Sequence, residues 1–190
     1  MRLRFEPSCS YEERRALLAR ARQAISETVS SRSLPDLPPL VGRLGKPGGA
    51  FVTLRCEGRL RGCIGRIDAA YPLAETVVQC AITAALQDPR FQPLRAEEMN
   101  SLEIEISVVS ELQPARAEEI EVGIHGIVVS RDDNRGLLLP QVALEHNWSP
   151  TEFLEAACRK ANLQANAWRD PETKLLVFTA EVFSEMALFS

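Results

Sequence analysis

The chain has 190 residues, 45% hydrophobic and 25% charged, with a formal net charge of −4 at pH 7. That is the composition of a soluble globular protein with one good core or two smaller, shared ones. It argues against a non-specific nucleic-acid binder, which needs a basic face, and no apolar stretch reaches the length of a membrane span.

Met1-Arg2-Leu3-Arg4-Phe5-Glu6 is too polar for the core of a secretion signal, so a cytoplasmic location is expected. Ser10-Tyr11-Glu12-Glu13 is a capping box. Leu17, Leu18, Ala21, Ile25 and Val29 follow at helical spacing, which predicts a helix from about Tyr11 to Ser30. Leu34 to Gly49 is a connector with four prolines and four glycines, and Lys46-Pro47-Gly48-Gly49 is its expected turn. It is not a phosphate loop, because Gly42 and the Gly45-Lys46 pair have the wrong spacing and no Ser or Thr follows.

Phe51 to Cys56 and Arg59 to Ile67 read as a β-hairpin about Glu57-Gly58. Pro72 is placed as a first-turn proline. Leu73, Val77, Cys80, Ala81 and Ala84 form the buried stripe of a helix that ends near Gln87 and is stopped by Asp88-Pro89. Leu102, Ile104, Ile106 and Val108 alternate with Glu103, Glu105 and Ser107, a strand with one wet or site-facing side. Glu119 to Val122 and Ile124 to Ser130 are predicted as further short strands.

Asp132-Asp133-Asn134-Arg135-Gly136 is a turn into Leu137-Leu138-Leu139; a calcium loop is excluded because Gly136 stands where the fifth-position ligand belongs. Ser149-Pro150-Thr151-Glu152 is a second capping box, whose helix turns Phe153, Leu154, Ala157, Cys158 and Ala161 to the core. Lys174 to Phe183 is a last strand. This order is not a regular βαβ alternation, so the fold class is α+β, a mainly antiparallel sheet with helices packed on it.

Five cysteines (Cys9, Cys56, Cys63, Cys80 and Cys158) are an odd count without CxxC spacing, which fits reduced thiols. Symmetric pairing about Glu57-Gly58 sets Cys63 opposite Val52, so no Cys56–Cys63 bridge is expected. With His125 and His146 the only histidines, no zinc site is expected and no metal ligand is assigned.

Leu60-Arg61-Gly62-Cys63-Ile64-Gly65 is the most informative stretch. Read as a regular strand, it puts Arg59, Arg61 and Cys63 on one face and Leu60 and Ile64 on the other. A cation beside a thiol favours the thiolate, which attacks electrophiles and binds soft metals. Gly62 and Gly65 leave backbone open to a ligand or to another chain segment. Against that stands a bland reading, in which Cys63 is a small, well-packed residue.

The other candidates carry the same two readings. Arg61 and Arg90 either bind a carboxylate or phosphate, or are held in ion pairs, Arg61 by a glutamate such as Glu105 and Arg90 by Asp88. His125 would pair with Cys63 as a base, or it is a strand-end histidine bonded to a carbonyl. Glu105 would be a general base or orient Arg61, or it is a solvated strand glutamate. Gln141, opening a helix after Pro140, binds ligand or caps. Trp148 and Trp168 read as packing anchors.

The hexapeptide also carries a family resemblance. Phe51-Val52-Thr53-Leu54 precedes it, Asp88-Pro89-Arg90-Phe91 follows a helix, and Leu102 to Val109 reads LEIEISVV. Then come Gly123-Ile124-His125-Gly126, Leu139-Pro140-Gln141-Val142, Trp148, and Phe153-Leu154 with Cys158 and Lys160. From about Phe51 to Glu185 the chain resembles the AMMECR1 family. One departure is visible, Asn162-Leu163 where the family usually has Gly-Leu; Asn also tolerates the left-handed conformation that caps a helix.

The resemblance implies a single AMMECR1-like domain over residues 1–190. Its motif-bearing core is at about 51–185, and residues 1–50 supply the first helix and the connector. It further implies two unequal α/β subdomains with a cleft between them and the cysteine motif near that cleft. It brings no reaction or cofactor, but it does bring expected partners, MEMO-like and radical-SAM-like proteins in a shared pathway.

Two functions remain open at this point. One is a cleft around the hexapeptide that binds a small anionic ligand, with cysteine-dependent catalysis. The other is a non-catalytic protein-binding or scaffold module; the net charge makes a nucleic-acid role the weaker branch.

Overall fold

A computed structural model describes residues 9–31 and 42–189; Pro35, Pro38 and Pro39 of the connector lie outside them. The described chain forms two compact units, a larger one of residues 9–31, 42–109 and 181–189 and a smaller one of residues 110–180.

The larger unit begins with α1 (Tyr11–Ser31). Its capping box is in place: the Glu13 N–H donates to Ser10 Oγ at 3.2 Å and the Ser10 N–H to Glu13 Oε2 at 2.8 Å. The chain then forms a 3-10 turn at Gly42–Gly45. Lys46 to Gly48 is not the predicted turn. It runs alongside residues 71–73, with the Gly48 N–H on the Tyr71 carbonyl and the Leu73 N–H on the Lys46 carbonyl. Two flanking backbones thus satisfy each other, which the Pro-Gly composition did not reveal.

β1 (Gly49–Cys56) and β2 (Arg59–Arg66) form the hairpin, turned by Glu57 and Gly58, both at positive φ. α2 (Leu73–Leu86) follows, with Pro72 just outside it as the N-cap. β3 (Leu102–Val109) pairs antiparallel with the other side of β1. Val52 and Leu54 of β1 and Ile104 and Ile106 of β3 lie under Leu17, Leu18 and Ile25 of α1 and Val77 and Ala81 of α2, all fully buried. Each such leucine or isoleucine contributes about 1.5–3 kcal/mol by leaving water.

In the smaller unit β4 (Gln113–Pro114) pairs with β7 (Lys174–Ser184), which also pairs antiparallel with β5 (His125–Arg131), and β5 with β6 (Asn134–Leu138). Glu119 to Val122 is not the expected strand. A 3-10 turn occupies Ala117–Glu119, and the Glu121 carbonyl accepts from the N–H groups of both Ile124 and His125, so the backbone bends instead of pairing. Gly136, expected in a turn, lies within β6 opposite Val129.

α3 (Pro140–Glu145) and α4 (Pro150–Lys160) pack with the strands around Phe153, Leu154 and Ile127. α4 has its predicted capping box and ends in a Schellman motif. Asn162 sits at φ 58°, the Leu163 N–H bonds the Cys158 carbonyl and the Asn162 N–H that of Arg159. Asn162 therefore fills the position where the family that the chain resembles usually has glycine.

β7 runs on into the larger unit, where β3 is its neighbour, and ends in α5 (Glu185–Phe189). There Glu181 and Glu185 hold α1. Glu181 accepts the Cys9 N–H at 3.0 Å and pairs with Arg14 at 2.7 Å, while Glu185 pairs with Arg22 and accepts the Ile104 N–H. Among the described residues no helix is long and apolar enough to cross a membrane. The fold is α+β, with antiparallel strand pairs and helices packed on them.

Candidate functional site

The hexapeptide is not a regular strand. β1 and β2 pair in register from Ala50↔Arg66 to Leu54↔Gly62, then the register shifts so that Arg55 faces Leu60. Arg61 is the extra residue, a β-bulge. One inserted residue reverses the faces beyond it. Cys63 therefore lies opposite Thr53 and not Val52, and Leu60, not Arg59, shares its face. The expected row of Arg59, Arg61 and Cys63 does not exist.

Arg61 turns to Glu98 instead. Its Nε donates to Glu98 Oε1 at 2.7 Å and its Nη2 to Oε2 at 3.1 Å, a two-pronged pair that raises its pKa above the ordinary arginine value. Its partner is thus Glu98 and not Glu105. The cation beside Cys63 is Arg90. Its pKa is raised chiefly by Asp88, and the Cys63 side chain adds to the effect.

Arg90 and Asp88 act together on Cys63. β2 is the end strand of the sheet, so half of its backbone groups point away from β1. At Cys63 the N–H donates to Asp88 Oδ2 at 2.9 Å, and the carbonyl accepts from Arg90 Nη2 at 3.2 Å. Arg90 also donates to both Asp88 oxygens, from Nε at 2.9 Å and from Nη2 at 2.6 Å. These contacts, with the Arg90 hydrogen bond first, hold the buried Asp88 carboxyl far below the usual carboxylate range. The Asp-Pro-Arg turn thus meets the strand edge where a further strand would.

The outward bonds of Cys63 make its pairing with Thr53 a non-hydrogen-bonded one, where facing side chains come closest. The Thr53 hydroxyl donates to Cys63 Sγ at 3.3 Å. Across the next strand Thr53 faces Glu105, so Cys63, Thr53 and Glu105 form one row over β2, β1 and β3. Cys63 and Glu105 are half-buried and Thr53 is buried.

The two glycines are filled from within the protein. A Cβ on Gly62 would run into the Ala84 carbonyl of α2, and one on Gly65 into the ring of Phe51. Their expected open backbone is occupied by chain segments. All five cysteines are free, and no Cys56–Cys63 bridge exists. Cys80, buried under α2, has its thiol pushed up to about 11 by burial, and burial raises that of Cys158 as well.

The larger unit brings together Cys63, Arg90, Gly62, Gly65 and Glu105, with Arg61 directed to Glu98. His125 and Gln141 belong to the smaller unit. His125 opens β5 and is buried, and its Nδ1 accepts the Glu121 N–H at 3.1 Å, which leaves the ring proton of the neutral form on Nε2. It is a strand-end histidine, held by a backbone N–H rather than by a carbonyl. Gln141 is the second residue of α3. Sequence reasoning missed Thr53 and Glu98. Thr53 was hidden by the bulge, and Glu98 lies 37 positions from Arg61 with no local pattern linking them. Among the described residues no group of three or more His, Cys, Asp or Glu side chains is placed to hold a metal ion.

The sequence model of the AMMECR1 family matches residues 18–183. A protein of Methanothermobacter thermautotrophicus is 41% identical over 186 residues, covering 93% of this chain and 96% of its own. One of Aquifex aeolicus is 38% identical, covering 92% and 94%. The crystal structure of an uncharacterized protein from Pyrococcus horikoshii superimposes with a TM-score of 0.87 at 37% identity, covering 92% of both chains. The chain belongs to the AMMECR1 family. None of these relatives has a name that states an activity, ligand or partner.

Proposed function

We propose that the Cys63 face is a small-molecule site in which the thiol attacks an electrophilic, anionic ligand. The observation that carries this reading is the hydrogen bond from the Thr53 hydroxyl to Sγ of the half-buried Cys63, with Arg90 bonded to the backbone carbonyl of the same residue. A hydroxyl and a guanidinium both stabilise a thiolate. Glu105, two strands away in the same row, is the carboxylate we propose as the base of this reading. A reactive thiol of this kind suits a reducing, cytoplasmic location. The test is limited alkylation of the folded protein with iodoacetamide at neutral pH, read by peptide mass spectrometry. Cys63 is expected to be modified before Cys56, Cys80 and Cys158; modification of Cys63 last, or not at all, sinks the reading.

A second reading has its own support. The carboxylates on the forks of Arg61 and Arg90, and the segments that fill Gly62 and Gly65, suit a packing element in a non-catalytic protein-binding module. The partner proposed for it is a MEMO-like protein, whereas the enzyme reading places the chain in a pathway with MEMO-like and radical-SAM-like proteins. A pulldown with such a partner separates the two readings. Binding that survives Cys63→Ser but fails on reversal of exposed surface charges supports the module.

A further inference from the structure

The smaller unit carries a groove of about 940 Å³ that the Cys63 site does not use. One wall is the β5–β6 turn, with Arg131 and Asp132; the other is the segment after α4, with Asn162, Gln164, Asn166 and Arg169. The walls are fixed in advance. Arg131 ties them together, donating to Asp170 at 2.8 Å and to Glu172 at 2.8 Å. Asn162 is locked by the Schellman motif, and residues 164–173 are wound by successive backbone bonds, Ala167 to Gln164, Arg169 to Asn166, Asp170 to Ala167 and Thr173 to Asp170.

Arg131 and Asp170 pair with each other, and Arg169 stands apart from them. Its guanidinium lies over the Trp168 ring, 4.7 Å from the centroid, and has no carboxylate partner among the described residues. A guanidinium stacked on an indole loses little freedom when its fork grips an oxyanion. Beneath it, Trp168 packs against the hydrophobic cluster around Phe153 and so gives the guanidinium a fixed platform. Asn162, Gln164 and Asn166 are exposed, and each carboxamide offers both a donor and an acceptor, the complement of a hydroxyl. Asp132, exposed on the opposite wall, adds an acceptor.

We infer that this groove binds a polyhydroxylated small molecule bearing one oxyanion, with Arg169 on the oxyanion and the carboxamides on the hydroxyls. The oxyanion is a phosphate or a carboxylate, and the choice of probes separates them. The full chain, labelled with ¹⁵N, is titrated with glucose 6-phosphate and with gluconate, beside glucose and inorganic phosphate, which each carry only one of the two features.

Saturable amide shifts confined to residues 131–132 and 162–171 are expected below about 10 mM with glucose 6-phosphate or gluconate, and the probe that saturates first names the oxyanion. Arg169→Gln should weaken that binding about tenfold, and Arg169→Lys, which keeps the charge but not the fork, by an intermediate factor. Arg169 is exposed, so these variants fold. The inference is overturned if neither probe shifts that segment in a saturable way, if inorganic phosphate alone does as well as glucose 6-phosphate, or if Arg169→Gln binds like the parent.

Discussion

Asp88 accepts the backbone N–H of Cys63 at 2.9 Å, across 25 positions of sequence, while the same carboxylate clasps Arg90. One buried acid therefore fixes both the strand that carries the cysteine and the cation beside it. Replacing its charge removes an acceptor from a guanidinium and from a strand-edge N–H together. Asp88→Asn should lower stability in urea unfolding by about 1.5–3 kcal/mol, the range for hydrogen bonds to charged groups.

The same pair sets an acid limit. A carboxyl whose folded pKa is depressed contributes stability that is present above its unfolded pKa and is lost as pH falls through the folded one. The parent should hold its melting temperature above about pH 4 and lose it steadily below, and Asp88→Asn should show a flatter decline over that acid range. Equal slopes for the two proteins would remove Asp88 from the account.

Arg61 and Glu98 are a two-pronged, half-buried pair at the bulge. A double-mutant cycle with Arg61→Met and Glu98→Gln should return a coupling of about 1 kcal/mol or more. A coupling near zero would mean that the bulge holds itself without the pair.

Gly62 and Gly58 make a matched test of space against conformation. Gly62→Ala drives a methyl into the Ala84 carbonyl, and either α2 or β2 must move. Gly58, at φ +75°, has open space around its Cα. Gly58→Ala should cost only about 1 kcal/mol of left-handed strain. Gly62→Ala should cost about 3 kcal/mol or more, a fall in melting temperature of roughly 6–12 °C.

The fold was legible where the local chemistry is self-contained. Both capping boxes, the Glu57-Gly58 turn and the left-handed Asn162 are each specified within a few residues. The apolar alternation of Leu102 to Val108 marked the buried face of β3 correctly. The site was less legible, because one bulged residue decides which side chains share a face with Cys63, and a bulge leaves no mark in the hydrophobic pattern of so short a strand. Arg90 stood among the candidates as an anion ligand or as a cation held by Asp88, and the Asp88 pair was legible from the adjacent residues. That it belongs beside Cys63 depends on how α2 returns the Asp-Pro-Arg turn to the strand edge, which is a property of the assembled unit. Glu119 to Val122 failed for a different reason. Four residues of alternating character are too few to outweigh the turn that Glu121 makes.

The central claim is that Arg90 and Thr53 create an environment at Cys63 that favours an anionic electrophile. It is tested most directly by the ratio of alkylation rates with iodoacetate, which is charged, and iodoacetamide, which is neutral, measured at Cys63 and at glutathione. The account predicts a ratio at Cys63 about twofold above that of glutathione, as expected for a guanidinium a few ångströms away in wet surroundings whose charge the Asp88 carboxylate partly offsets, and its loss in Arg90→Gln. A ratio at or below that of glutathione, or one that Arg90→Gln leaves unchanged, would contradict it.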